Sequence, residues 1–335
     1  MKKIDIVNAI NQLKNVSRFG SGDLAGLDSY LIFKDGFISA FATSIAVSVA
    51  IDVDFEVAVS ADEFSKFIGK IKADEFEIKQ KDNEILISYG KTKAGFQTAD
   101  VMGDIPELSI GKVTKWMKVP DDFREALRLC QFSIMDNVMA GVFACACVMP
   151  DGIFSSDNVR LTERKFEKKA VKDFSFFIPK KLVGPVIDFK CEKIGLVDGW
   201  VHIKGNDGSF MSLQGVVGEC PEYDDAFNVD GVEIVMPPSL LDALDLVYSV
   251  SEKGNNDQLV SVHIENDEII CRIDGAKAWA EEKVKCEYSD IPLDFATSSI
   301  FLKDILPVCR QFIVGENAIL INGENFKHVM AMVQK

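Results

Sequence analysis

A unit of one amphipathic helix and several short alternating strands recurs along this chain, and the recurrence restricts the fold more than any single motif does. Helical patterns open near Ile4, Ala61, Asp121, Pro179, Pro238 and Leu302, a period of roughly 60 residues. The clearest copy spans residues 59–108. Phe64, Phe67, Ile68 and Ile71 share one helix face, with Lys66 and Lys70 on the opposite one. Strand-like runs follow at 75–80 and 84–88, with Asp82-Asn83 as the turn, and then at 93–98. Six copies pair into three units of about 110 residues, an ordinary domain size. Units this small hold little core, so neighbours must share strands or pack helix on helix. The expected fold is α+β: three tandem domains, 1–113, 114–226 and 227–335, each of two helix-plus-antiparallel-meander repeats.

Other details follow from the same patterns. The first helix runs from Ile4 to about Val16, and the first of the second domain covers about 121–132. Pro179 opens another, in which Pro185 is awkward. The third domain has helices at about 238–251 and 302–312, the latter with Pro307 inside it. A single strand is expected over 37–47 and another over 141–149. The terminal segment Val329-Met-Ala-Met-Val333 is apolar enough for core or groove.

Hydrophobic content is 47% and charged content 27%, which places the chain among globular proteins rather than disordered ones. No apolar run approaches the ~18 residues needed to cross a bilayer. The first residues enter a helix without a signal-peptide core, so a cytoplasmic protein is expected, with no membrane association. The eight cysteines form no CxxC pair and read as buried, reduced thiols. His202, His263 and His328 lie far apart, so neither a metal site nor a cofactor is expected. The 52 carboxylates sit in no catalytic signature, and no nucleophile–base motif is visible. An enzyme is not expected.

The net charge of −15 argues against nucleic acid, but its distribution does not. Acidic residues gather in loops and strands, whereas several helices keep basic residues opposite their apolar face. Lys3, Lys14, Lys66, Lys70, Arg124, Arg128, Lys180, Lys181, Lys303 and Arg310 form this set. Such faces hold phosphates without reading bases. The helix near 238–251 is the exception, with Asp242 and Asp245 outward.

Four stretches carry a resemblance. The segment from Val59-Ser-Ala-Asp-Glu-Phe to Ile105-Pro-Glu-Leu108 is similar to the second half of the first domain of the bacterial sliding clamp, the beta subunit of DNA polymerase III. Ser156-Asp-Asn-Val-Arg-Leu161 resembles that family's Thr-Asp-Gly-His-Arg-Leu, and Gly218-Glu-Cys-Pro-Glu-Tyr223 its Gly-x-Phe-Pro-Asp-Tyr. His328-Val-Met-Ala-Met332 resembles Val-Val-Met-Pro-Met. The order covers essentially the whole chain. Departures fall at Asn158 and Val159 (for Gly-His), at Ala331 (for Pro), at Val333 (for Arg) and at Asn228, where proline is usual.

The resemblance implies three clamp domains and a homodimer closed head to tail, helices inside and sheets outside. It implies duplex DNA held without sequence specificity. Replicative polymerase and clamp loader would dock through linear peptide motifs in a groove at Met139, Ser156, Asn158, Arg160, Leu161, Val329, Met330 and Met332. It places Phe96, on an edge strand, and Tyr248 at the dimer contact. The location would be the nucleoid, or the host cytoplasm for a phage protein. The competing reading is a clamp-like interaction scaffold that does not bind DNA.

Overall fold

The computed structural model describes residues 1–17, 26–251 and 259–333. Helix α1 (Lys3–Ser17) precedes strands β1 (Tyr30–Lys34), β2 (Phe37–Ala42) and β3 (Ile45–Ala50). Next come β4 (Val57–Ser60), α2 (Ala61–Lys70), β5 (Glu77–Lys81), β6 (Glu84–Tyr89) and β7 (Thr92–Ala99). The order of one strand, one helix and three strands then recurs. The third copy is β8 (Met117–Lys118), α3 (Phe123–Cys130), β9 (Cys145–Met149), β10 (Gly152–Ser156) and β11 (Arg160–Lys165). The fourth is β12 (Phe176–Pro179), α4 (Lys180–Asp188), β13 (Cys191–Val197), β14 (Trp200–Gly205) and β15 (Phe210–Gln214). The fifth is β16 (Gly231–Val235), α5 (Leu240–Tyr248), β17 (Leu259–Glu265), β18 (Glu268–Asp274) and β19 (Trp279–Lys285). The sixth is β20 (Leu293–Ser298), α6 (Ser299–Ile305), β21 (Gln311–Gly315), β22 (Ala318–Gly323) and β23 (Phe326–Ala331). In the first copy the leading strand shrinks to a bridge between Lys2 and Glu75. The α+β fold with six repeats is as expected.

The chain divides into two compact units. One holds Met1–Arg124 with Ala170–Gly218, the other Glu125–Lys169 with Glu219–Lys335. The segment 114–226 is therefore shared between them. In the first unit one antiparallel sheet runs β5-β6-β7-β4-β1-β2-β3-β15-β14-β13-β8. Helix α1 packs on β2, β3 and α2, burying Ile6, Ile10 and Leu13. Each such side chain is worth about 1.5–3 kcal/mol when fully buried. In the second unit β9-β10-β11-β23-β22-β21-β16 form one sheet and β19-β18-β17-β20 another. Their core gathers Leu240, Leu244, Val262, Ile264, Phe312 and Met330 among others.

One pairing rule emerges. The last strand of the first copy, β3, pairs with the last strand of the fourth, β15. The last strand of the third, β11, pairs with that of the sixth, β23.

Some expected boundaries are corrected. The stretch 37–47 is two strands, because the chain turns at Thr43-Ser44 to pair Ala42 with Ile45. Residues 138–144 form 3-10 turns rather than strand, with Gly141 at φ 60°. Helix α6 ends at Ile305, ahead of Pro307, so Arg310 is not on a helix. Pro185 is accommodated inside α4.

Candidate partner groove and basic helix faces

The β11–β23 junction decides which of the groove candidates share a surface. Strand side chains alternate faces, so partners across the ladder share a face and their neighbours take the other. Leu161 pairs with Val329, and Leu320 of β22 pairs with Val329 on its far side. These three and Phe227 form one apolar cluster, edged by half-buried Tyr223, Val229, Ile313 and Ala318. Arg160 pairs with Met330 on the opposite face. Met330 is fully buried in the main core, and Met332 packs against that core. The expected groove residues that lie on β11 and β23 are thus split between the two faces of the sheet. Met330 is core, and Arg160 is a buried strut.

Arg160 is held from several sides. Its guanidinium bonds Asp157 at 3.0 Å, Asp304 of α6 at 2.7 Å and the carbonyl of Phe132. The Phe301 ring lies 4.0 Å away. A charge so enclosed tethers β11 to α6. Just along the strand, His328 is buried beside Thr162, whose hydroxyl lies 2.9 Å from Nδ1. Burial, with Arg160 adding to it, pushes this imidazole down to about 3, so it is neutral.

The 156–160 turn is built by its own side chains. Ser156 Oγ donates to the Arg160 carbonyl and accepts from the Asn158 amide. Asp157 accepts from the amides of Val159 and Arg160. Asn158 sits at φ 71°, a left-handed conformation that glycine and asparagine tolerate. That explains why asparagine stands where the resembled motif has glycine. Met139 is 87% exposed on its 3-10 turn, beside Val138 at 81%.

The basic set is less uniform than its spacing suggests. Lys3 donates to the Ile71 carbonyl at the end of α2, and Arg124 Nε to the Ile187 carbonyl of α4 at 2.7 Å. Both cations cap the C-terminal end of another helix, where the dipole favours them. Lys66 pairs with exposed Asp62 at 2.5 Å. Lys303 pairs with Asp245 and lies 4.7 Å from the Tyr248 ring centroid. Lys14, Lys70, Arg128 and Lys181 are exposed and Lys180 is half-buried. Arg310 lines a cleft of about 790 Å³ with Glu233, Lys285 and Glu287.

Phe96 is half-buried, its ring packed edge-on against Phe64 and Phe67 at 5.3 and 5.4 Å. Its strand, β7, meets β4 through Thr98 and Ala99 alone. Among the described residues, 92–97 have β6 on one side and an open edge on the other. Strand β19 closes its sheet in the same way, paired to β18 on one side.

No protein-family model matches the chain, and no curated protein matches it in sequence. Solved structures do match along its whole length. The sliding clamp (DNA polymerase III subunit beta) from Bartonella birtlesii, bound to griselimycin, superposes with a TM-score of 0.85 at 17% identity. That alignment covers 100% of this chain and 99% of the other. The Helicobacter pylori beta clamp gives 0.82 at 16% identity, covering 100% and 99%. The DNA polymerase III beta subunit from Pseudomonas aeruginosa gives 0.80 at 14%, again covering 100% and 99%. The chain has the fold of the DNA polymerase III beta subunit.

Within that beta-clamp fold, three residues used here were not singled out from sequence: Phe227, Leu320 and Tyr223 as one surface. Leu320 carried a signal only as part of the apolar run 318–321; that it lies opposite Val329 is set by the register. Phe227 carried none, because its place depends on how the segment after β15 folds back.

Proposed function

We propose that two copies of this chain join head to tail into a sliding clamp that encircles duplex DNA and tethers replication proteins. The observation that carries the reading is the pairing rule. The last strand of repeat one joins that of repeat four, and the last strand of repeat three joins that of repeat six. Continued by one step, repeat five (β19) joins repeat two (β7) of a second copy. Those are the two strands with open edges described above. Strand β7 brings Lys93 and Phe96; β19 brings Glu281 and Glu282, with Trp279 exposed at its start. Pairing them removes both edges, and a heterologous contact repeated by symmetry closes a ring. Tyr248 lies on α5, which packs on β19.

In this reading the three domains are 1–113, 114–226 and 227–335. Exposed Lys14, Lys70, Arg128 and Lys181 meet phosphates, while Lys3 and Arg124 chiefly lock helix pairs. The partner groove is the Leu161–Val329–Leu320–Phe227 surface, where short apolar peptides of polymerase or loader dock under Tyr223 and Val229. Retention on DNA is the test. The protein stays on closed circular duplex, leaves when it is linearised, and scatters light as about twice 37.1 kDa. A stable monomer at micromolar concentration, or equal retention on linear DNA, rejects the ring.

A further inference from the structure

The two strand pairs that join repeats share one register, counted from their hairpin turns. In β3, Ile45 closes its turn against Ala42 and meets Leu213, four residues past Ser209, which closes the β14–β15 turn. In β11, Arg160 closes its turn against Asp157 and meets Met330, four residues past Phe326, which closes the β22–β23 turn. On the two open strands, Thr92 closes the β6–β7 turn against Tyr89, and Ala278 closes the β18–β19 turn against Gly275. The same count sets Thr92 opposite Glu282. It therefore sets Lys93 opposite Glu281, Ala94 opposite Ala280 and Gly95 opposite Trp279.

No side chain entered that count, yet the side chains it brings together fit. Trp279 and Glu281 lie two residues apart and share one face of β19, Trp279 being 62% exposed. Arg272 holds both, its guanidinium 4.5 Å from the Trp279 ring centroid and 3.4 Å from the Glu281 carboxylate. On β7, exposed Lys93 and Gly95 border a cleft of about 460 Å³ that Glu84 and Leu86 also line. A side chain at position 95 would enter this cleft, its Cβ 3.1 Å from Glu84 Oε2 and 3.4 Å from Leu86. We propose that Trp279 of one copy seats in the Gly95 cleft of the next, with Glu281 paired to Lys93, and that this seat fixes the register in which copies join. The seat presupposes the ring reading above and adds to it an anchor and a register. A cross-strand aromatic supplies the packing that an edge glycine lacks, and opposite charges facing each other favour the pair. A slip of one residue turns the exposed face of one strand against the buried face of the other. A slip of two sets Lys93 against Lys283 in one direction and against Trp279 in the other. The counted register alone among these pairs the charges and fills the cleft.

The experiment uses the intact chain and reads both the mass in solution and the register. The parent sediments as a dimer. Trp279→Ala and Gly95→Val, both at exposed positions, melt like the parent and raise the dimer dissociation constant about tenfold or more, as loss of an aromatic anchor does. Lys93→Glu raises it as well, and adding Glu281→Lys brings it back toward the parent value. Mild oxidation of the variant carrying Lys93→Cys and Glu281→Cys gives a covalent dimer that dithiothreitol separates, because directly opposite residues lie within disulfide reach. Peptide mapping places the bridge at those two positions. Lys93→Cys with Lys285→Cys, about 13 Å out of step along the strand, gives no such bridge. A parent that stays monomeric at micromolar concentration rejects the ring reading and the seat together. A dimeric parent overturns the seat and leaves the ring standing if Trp279→Ala does not weaken it, if the charge exchange fails to rescue it, or if the first cysteine pair stays unlinked while the second links.

Discussion

The two strand junctions have the same geometry and different furnishings. At β3–β15, Ala46 meets Ser212 and Val47 meets Met211, and Ser212 Oγ lies 2.8 Å from Nδ1 of buried His202. The junction's apolar face is covered by the chain after β7, through Val101, Met102, Ile105 and Leu108. At β11–β23, one face carries Leu161, Val329 and Leu320 under Tyr223 and Phe227, and the other buries Arg160, His328 and Thr162. A junction that need only hold requires no buried charge, since desolvating an ion pair costs as much as it returns. Both junctions bury a histidine against a hydroxyl, but the second adds a charged strut and an apolar face bordered by Tyr223.

The largest difference is expected at Arg160. Arg160→Ala leaves Asp157 and Asp304 facing each other without a cation and should cost about 3–5 kcal/mol. Chemical denaturation followed by fluorescence measures it. Ser212→Ala at the other junction, which removes the hydroxyl partner of buried His202, should cost less, about 1–3 kcal/mol. Equal losses would mean that the strut contributes nothing specific.

Met330→Ala comes next. Its side chain is fully buried, so a cavity should cost about 2–5 kcal/mol, with peptide affinity preserved in the molecules that remain folded. A large affinity loss at unchanged melting temperature would return Met330 to the groove and undo the two-faced reading of β23.

The third difference appears with pH. The folded His328 titrates at about 3, below its ordinary 6.5. Below pH 6.5 the unfolded chain takes up a proton that the folded chain refuses. The stabilisation is complete above 6.5 and lost as pH falls toward 3, with a slope approaching about 1.4 kcal/mol per pH unit. His328→Val should flatten that part of the stability profile. A profile identical to the parent's would show that the imidazole is not buried neutral.

How much of this was legible beforehand follows from which periodicities reach the sequence. All six helices and the hairpin at Asp82-Asn83 were readable, because apolar spacing and turn chemistry are local. The split of 37–47 was not: Thr43-Ser44 is a weak turn signal within a continuous apolar run. Helix α6 was drawn too long because Leu306 and Cys309 continue its apolar pattern past Pro307. The motifs drew the segments around Leu161 and Val329 together, and the two do adjoin across β11 and β23, but the face each residue takes was not readable. Adjacent residues such as Leu161 and Arg160, or Val329 and Met330, look equally placed until the register assigns them to opposite sides. The basic set meets the same limit, since spacing cannot show that Lys3 and Arg124 donate to carbonyls of neighbouring helices.

The smallest effect on stability, and the one most specific to the second junction, belongs to Tyr223. It is half-buried at the edge of the groove cluster, much as Leu108 is half-buried over the first junction. Truncating either to alanine should change stability by about 1 kcal/mol, the centre of the range for point substitutions. Their functional consequences should part company. Tyr223→Ala removes an aromatic wall from an apolar surface that peptides would use, and aromatic anchors carry a disproportionate share of such binding. Leu108→Ala removes a cover from the first junction, which the groove reading does not use. Fluorescence anisotropy with one labelled clamp-motif peptide should therefore show weakened binding for the first variant and parent-like binding for the second. Parent-like binding by both would mean that the two junctions differ in packing alone, and that the partner site lies away from β11 and β23.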